Sequence, residues 1–299
     1  MNLPPRVTIV EVGPRDGLQN EARRVATADK IAFVDALSAA GLPVIEVSAF
    51  VSPKWVPQME DAAEVLRGIR QCETTRYTAL VPNLSGLDRA HAAGVKEIAI
   101  FAAASETFSR RNINQGIDES LTTYHAVCGR AAELGMRVRG YLSTAFGCPF
   151  EGHVAVKKVV ELTAALLEIG AFEVAISDTI GIGHPGQVRA LLEAVSARVS
   201  LARVALHFHD TRGQALANVM AGLDAGVTTF DASAGGLGGC PYAPGATGNL
   251  ATEDLVYMLD GLGVETGVNL AGLIEASTFI EPLVGHPLPS RYFRASRSA

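Results

Sequence analysis

Residues 154–177 read VAVKKVVELTAALLEIGAFEVAIS, and this stretch contains the unit that decides the fold. Its first part, Val154–Ile169, places apolar side chains at helical spacing, and Gly170 follows. Glycine is favoured directly after a helix, because that position often needs a positive φ angle that glycine adopts without steric cost. The run Phe172–Ser177 then has the length and composition typical of a strand. The stretch therefore predicts a helix followed by a strand.

The same unit repeats along the whole chain. Predicted strands occur at Val7–Val12, Val44–Ser48, Arg76–Val81, Glu97–Phe101, Arg137–Ser143, Phe172–Ser177, Arg203–His207 and Thr228–Asp231. Helix-length segments such as Ala28–Ala40 separate them, and several of these segments end in glycine, at Gly41, Gly94, Gly135, Gly170 and Gly226. Strands that alternate with helices lie parallel, so eight such units predict an α/β fold, a closed (β/α)₈ TIM barrel.

A doubly wound open sheet is the main alternative. That fold usually carries a glycine-rich phosphate-binding loop after its first strand, whereas Gly13-Pro14-Arg15-Asp16-Gly17 matches neither known form of such a loop. Barrels of roughly 200–250 residues commonly fold as one unit. We therefore expect residues 1–299 to form a single catalytic barrel domain, with an extra helix at Val268–Leu283.

Composition excludes several classes of function. The chain has 299 residues, a formal net charge of −6 and no block of lysine and arginine, which argues against nucleic acid and anionic membrane as partners. No run of about 18 apolar residues is free of charge, glycine or proline, so no membrane span is predicted. Cys72, Cys128, Cys148 and Cys240 form no C-x-x-C pair, which is typical of reduced, cytoplasmic cysteines.

Two histidines at the end of the seventh predicted strand carry the most specific local signal. His207 and His209 are two positions apart, so their side chains point to the same face of a strand. Active sites of TIM barrels lie at the carboxyl ends of the strands, where Asp16 also arrives after the first strand. Two imidazoles and a carboxylate are suited to Mg²⁺, Mn²⁺, Zn²⁺ or Fe(II). A core histidine beside a solvated one is the alternative.

Four further side chains lie within predicted strands, at their ends or in loops. Arg15 is either half of a surface ion pair with Asp16 or a donor to a carboxylate, a thioester oxygen or a developing enolate. Glu46 and Asp178 are expensive to bury unless paired, so a structural salt bridge to Arg15 or another cation is one interpretation. As catalytic residues they either support the site or transfer a proton, and we favour the supporting role. Cys240 follows several glycines, so it is either a small buried apolar residue or a thiol on a mobile loop that closes over a site.

These motifs resemble the 3-hydroxy-3-methylglutaryl-CoA lyase family, a group of metal-dependent barrels. The resemblance extends from the stretch Val12–Glu21 to about Leu270, and its most specific stretches are Ser52–Met59, His207–Asn218 and Gly236–Tyr242 with Gly248–Leu259. It implies a divalent cation, usually Mg²⁺ or Mn²⁺, held by Asp16, His207, His209 and Asn249. It also implies that Arg15 contacts the substrate, that Cys240 donates or shuttles a proton, and that Glu46 and Asp178 support the site.

The implied reaction is a retro-Claisen cleavage of 3-hydroxy-3-methylglutaryl-CoA to acetyl-CoA and acetoacetate, a step of the leucine-degradation type. His207 and Asp16 are candidates for the base. One alternative is a lyase for a longer 3-hydroxyglutaryl-CoA or for citramalyl-CoA. A second is a condensing synthase, whose usual extra domains this chain is too short to hold. A third is a metal-bound barrel without catalysis. A homodimer is common in the family.

Overall fold

The structure, a computed structural model, describes residues 3–239 and 248–297. Eight parallel strands form a closed barrel in chain order, and the last strand returns to pair with the first. The strands are β1 (Thr8–Glu11), β2 (Val44–Ala49), β3 (Arg76–Leu80), β4 (Glu97–Ala103), β5 (Arg137–Ser143), β6 (Glu173–Asp178), β7 (Val204–Phe208) and β8 (Thr229–Ala232). The predicted fold is confirmed, and the predicted strand bounds differ from these by at most two residues.

Helices surround the barrel. They are α1 (Thr27–Ala39), α2 (Ala62–Gly68), α3 (Leu84–Ala92), α4 (Glu106–Ile113), α5 (Ile117–Glu133), α6 (Val156–Glu168), α7 (Pro185–Ser196), α8 (Ala215–Ala225), α9 (Thr252–Gly261), α10 (Leu270–Val284) and α11 (Arg291–Ser296). The glycines predicted to follow helices have positive φ, for example 120° at Gly170 and 99° at Gly226. Within residues 3–239 and 248–297, no helix combines the length and the apolar character that a membrane crossing requires.

The helices at the carboxyl end of the chain support the turn after β8. The extra helix predicted at Val268–Leu283 is α10, which packs against α1, whereas α11 was not predicted. Ser277 of α10 donates a hydrogen bond to the buried Glu253 of α9. That carboxylate also accepts a hydrogen bond from the amide of Gly235, at 2.8 Å. The turn that follows β8 is therefore fixed from the side of the carboxyl-terminal helices.

Charged side chains lie inside the barrel itself. Glu46 on β2, Arg139 on β5 and Asp231 on β8 are each at most 1% exposed. Burying a charge is costly unless it is paired, and each of these groups has an oppositely charged partner. The barrel interior thus contains buried ion pairs that join residues of different strands and turns.

Candidate active site at the carboxyl ends of the strands

Arg15 and Asp16 lie in a tight turn directly after β1. The backbone carbonyl of Val12 accepts a hydrogen bond from the amide of Asp16 at 2.7 Å, which folds the turn back towards the barrel. Glycine is needed at position 13, because a Cβ atom there would lie 2.6 Å from a carboxylate oxygen of Glu11. The amide of Gly13 instead donates a hydrogen bond to that oxygen at 2.8 Å. Local geometry therefore places both candidate side chains at the barrel mouth.

His207 and His209 lie side by side at the end of β7. Their ring centroids are 5.2 Å apart, and both side chains are buried. The segment that contains Asn249 lies against this strand end, since the amide of Leu250 donates a hydrogen bond to the carbonyl of Phe208 at 2.9 Å. His209 and Asn249 form an isolated antiparallel bridge. Residues that are forty positions apart in sequence are therefore neighbours at one mouth.

Asp16, His207 and His209 form a cluster suited to a metal ion. Their potential ligand atoms all lie within 4.8 Å of one another. Asn249 joins the cluster, because its Nδ2 atom donates a hydrogen bond to Oδ2 of Asp16 at 2.9 Å. Within the described part of the chain, Nδ1 of His209 and Oδ1 of Asn249 are buried without a hydrogen-bond partner. A carboxylate, two imidazoles and an amide oxygen with unused lone pairs fit a divalent cation.

The charges of this cluster also suit a cation. Burial and the neighbouring His207 lower the pKa of His209 to about 4, so its imidazole is neutral at neutral pH and retains a lone pair. Burial alone would raise the pKa of Asp16, but Arg15 and both histidines outweigh that effect and lower it to about 2. Asp16 is therefore ionised, as a metal ligand must be.

Arg15 is a buried guanidinium held by two carboxylates. Its Nε atom donates a hydrogen bond to Glu46 at 2.5 Å, and Nη1 donates one to Asp16 at 2.6 Å. Its guanidinium carbon lies 5.4 Å from the ring centroid of Tyr141. Burial would lower the pKa of Arg15, but Glu46 and Asp16 raise it above its usual value. Nη2 of Arg15 donates no hydrogen bond to any residue within 3–239 and 248–297, so it can donate one to a further oxygen.

The two supporting carboxylates have different partners. Glu46 pairs with Arg15, as expected from the sequence. The expectation of a cation partner is wrong for Asp178, whose oxygens accept hydrogen bonds from the amides of Ile182 and Gly183 at 3.0 and 2.8 Å. Those amides are free because the chain turns sharply after β6, so the carboxylate satisfies the backbone of the turn. Asp178 thus shapes the loop after β6.

Three side chains at this site were not singled out from the sequence: Arg139, Tyr141 and Asp231. Asp231 lies 3.2 Å from Nδ1 of His207, and Arg139 binds Asp231 through two nitrogens. Tyr141 lies under both Arg15 and Arg139. The sequence could have indicated two of them. Arg139 and Tyr141 are two positions apart on a predicted strand, so their side chains share one face of that strand, as those of His207 and His209 do.

The predicted thiol cannot be placed at this site. Cys240 lies outside the described residues. The residue before it, Gly239, accepts a hydrogen bond through its carbonyl from Nδ2 of Asn20, at 3.0 Å. The role of Cys240 therefore stays a prediction.

Comparison with known proteins shows the family of this chain. The model of the HMGL-like family matches residues 6–280. Human mitochondrial hydroxymethylglutaryl-CoA lyase is 53% identical over 98% of this chain and 90% of its own length, and the Bacillus subtilis hydroxymethylglutaryl-CoA lyase is 50% identical over the full length of both chains. The crystal structure of hydroxymethylglutaryl-CoA lyase from Pseudomonas aeruginosa superposes with a TM-score of 0.98 at 52% identity, covering 100% of this chain and 99% of that one. The chain therefore belongs to the HMGL-like family, the family of hydroxymethylglutaryl-CoA lyases.

Proposed function

We propose that this protein is a divalent-metal-dependent lyase that cleaves 3-hydroxy-3-methylglutaryl-CoA to acetyl-CoA and acetoacetate. The observation that carries the proposal is the meeting of Arg15 with Asp16, His207 and His209 at one barrel mouth. The relatives named for this activity match almost the whole chain. We propose Asp16, His207, His209 and Asn249 as ligands of Mg²⁺ or Mn²⁺. When bound, such a cation stabilises negative charge on oxygen as a Lewis acid.

The reaction breaks one carbon–carbon bond. A base removes the proton of the tertiary hydroxyl group, and the oxygen forms the ketone of acetoacetate as the bond to the thioester α-carbon breaks. The electron pair passes to the thioester as an enolate, whose carbon then takes a proton to give acetyl-CoA. We propose His207 and Asp16 as candidate bases. Because each is also proposed as a cation ligand, the proton goes to a lone pair that the cation does not occupy, and Asp16 is the weaker base because its pKa is about 2.

Arg15 is suited to the charge that appears during cleavage. Two of its nitrogens are fixed by Glu46 and Asp16, so the guanidinium does not need to reorganise when the enolate oxygen forms. The free Nη2 atom provides the donor. We propose Arg15 as the residue that binds the thioester oxygen, with Glu46 as the group that orients it and Asp178 as the group that shapes the adjacent loop.

One assay tests the proposal directly. Purified protein with Mg²⁺, a thiol reductant and 3-hydroxy-3-methylglutaryl-CoA is expected to form acetoacetate and acetyl-CoA in equal amounts. Arg15→Gln protein, prepared in parallel, controls for a contaminating lyase. If neither product forms above the rate of that control, the proposed activity is wrong.

The Cys240 thiol is proposed as the proton donor on the strength of the sequence resemblance. A hydroxyl is a far weaker acid than a thiol, so Cys240→Ser is expected to lower kcat by about 10²-fold or more while Mn²⁺ binding and the melting temperature stay unchanged. Cys72→Ser is the matched control, since Cys72 is exposed. Alkylation is best tested in the Cys72→Ser background, because that thiol also reacts. Wild-type turnover by Cys240→Ser would show that the thiol is a packing residue.

A longer acyl chain is the second candidate substrate. A Pseudomonas aeruginosa relative that is 53% identical over 99% of this chain and 98% of its own length is named for both 3-hydroxy-3-isohexenylglutaryl-CoA and hydroxymethylglutaryl-CoA. We propose that the methyl substrate is preferred here. Measurement of kcat/KM for both thioesters decides this, and a higher value for the isohexenyl compound would reverse the assignment.

The leucine-degradation step and the homodimer are proposed on the family resemblance, and the cytoplasmic location is proposed on the cysteines, which form no C-x-x-C pair. A leucine-degradation step, a cytoplasmic location and a homodimer are the predictions. Sedimentation of the purified protein measures the last of these.

A further inference from the structure

Asp231 lies beside His207 inside the barrel. The two residues are register partners on the neighbouring strands β7 and β8, and Oδ2 of Asp231 is 3.2 Å from Nδ1 of His207. Both side chains are buried. The ring of Tyr141 meets the His207 ring at an interplanar angle of 84°, with the centroids 6.4 Å apart. The plane of the His207 ring is therefore confined on two sides.

Arg139 keeps Asp231 ionised. Its Nη2 atom donates a hydrogen bond to Oδ1 of Asp231 at 2.7 Å, and Nη1 donates one to Oδ2 at 3.2 Å. Arg139 is itself 1% exposed, and its Nε atom donates a hydrogen bond to Glu173 at 2.8 Å. This buried, two-nitrogen ion pair with a guanidinium favours the charged form of the Asp231 carboxylate.

An ionised carboxylate can only accept hydrogen bonds. The contact with Asp231 therefore requires a proton on Nδ1 of His207, which leaves the lone pair of a neutral ring on Nε2. His209, in contrast, has no partner for its Nδ1 atom within the described residues. Of the two histidines at the mouth, His207 is thus the one whose tautomer is set by a charged neighbour.

We propose that Asp231, which Arg139 holds in place, is a positioning residue. It fixes the Nδ1–H tautomer of His207 and so directs the Nε2 lone pair towards Asp16 and His209. The inference rests on the proposed function, since both roles considered for His207, cation ligand and proton acceptor, need an unprotonated nitrogen at the mouth. Carboxylate partners of metal-binding histidines typically change metal affinity by about 10–100-fold. Asp231 acts through His207 and does not touch the substrate.

The first test needs no variant at Asp231. Long-range ¹H–¹⁵N NMR of metal-free, histidine-labelled wild-type protein reports which ring nitrogen carries the proton, and His207→Gln assigns the signal. We expect the proton on Nδ1. A proton on Nε2 of the neutral ring would overturn the proposal, and this result does not depend on activity or on any bound metal.

The second test measures Mn²⁺ affinity by calorimetry. Asp231→Asn keeps the shape of the side chain but removes its charge, and its amide can donate to Nδ1 and favour the opposite tautomer. We expect Mn²⁺ to bind about 10–100-fold more weakly. Glu97→Gln is the matched control, because Glu97 is also a buried carboxylate, paired with Arg76 and Arg137 at the other end of the barrel.

The outcomes distinguish a failure of the proposed cation site from a failure of the role proposed for Asp231. Wild-type protein that binds no Mn²⁺ would contradict the proposed cation site, while the tautomer measured by NMR would still decide the role of Asp231. Equal Mn²⁺ affinity in wild type and Asp231→Asn, or an equal loss in Glu97→Gln, would show that Asp231 is merely structural. If Asp231→Asn does not fold, the NMR result on wild-type protein decides the question.

Discussion

Removal of divalent cations is expected to abolish cleavage of 3-hydroxy-3-methylglutaryl-CoA, and added Mg²⁺ or Mn²⁺ is expected to restore it. The reason is the cluster of Asp16, His207 and His209, whose potential ligand atoms lie within 4.8 Å of one another. A half-buried carboxylate with a pKa of about 2 and a neutral imidazole already have the charge states that a divalent cation requires. The measurement is acetoacetate formation after treatment with EDTA and after addition of each metal.

Substitution of a proposed metal ligand tests whether the cation is needed for turnover or only for stability. We expect His209→Ala to weaken Mn²⁺ binding by more than about 100-fold, because replacing a partner of a ligand already costs 10–100-fold. Turnover should fall with the occupancy of the site. His91→Ala, at an exposed position on α3, is the control that removes an imidazole elsewhere. Full activity in a preparation shown to be free of metal would refute the proposed dependence.

Much of this site could be predicted from the sequence, because the barrel fixes where its strands end. Once eight strand–helix units are recognised, any polar residue at the end of a strand must lie at the same mouth. That rule places Arg15, Asp16 and His207 together without knowledge of any contact. Asn249 needed the family resemblance, because it lies well after β8 in the sequence, and its place beside His209 depends on the backbone bridge between these two residues.

The interior ion pairs could not be predicted in the same way. Arg139 on β5 reaches Asp231 on β8, across the inside of the barrel. Which inward-facing residues share a layer depends on the stagger of the strands, and this is not readable from one strand at a time. Asp178 illustrates a second limit, since a carboxylate at a strand end can be satisfied by backbone amides as well as by a cation.

Arg15→Gln is expected to lower kcat by at least about 10²–10³-fold, or roughly 3–4 kcal/mol, and to leave KM nearly unchanged. This is the effect of removing a donor that meets charge only in the transition state. Arg15→Lys should rescue poorly, because an ammonium group cannot donate to Glu46, Asp16 and a substrate oxygen with the forked geometry of a guanidinium. Steady-state kinetics on both variants provides the measurement.

The structure also shows why a melting curve must accompany the kinetics. The ion pair between Arg15 and Glu46 is buried, with side chains 8% and 0% exposed. Removing one partner of a buried pair typically costs about 3–5 kcal/mol of stability, whereas an exposed pair contributes about 0–1 kcal/mol. Arg15→Gln is therefore expected to melt at a lower temperature as well as to turn over slowly.

A double variant separates the two effects. Arg15→Gln combined with Glu46→Gln removes both charges of the buried pair, so Glu46 is no longer an unpaired carboxylate inside the barrel and the melting temperature should rise above that of Arg15→Gln alone. Asp16, the other partner of Arg15, loses that ion pair in both variants, so it does not affect the comparison. Turnover should not rise with it, because the donor to the thioester oxygen is still missing. If kcat recovered together with the melting temperature, Arg15 would act only by holding the fold. If the melting temperature recovers while kcat stays low, the guanidinium acts on the reacting atoms.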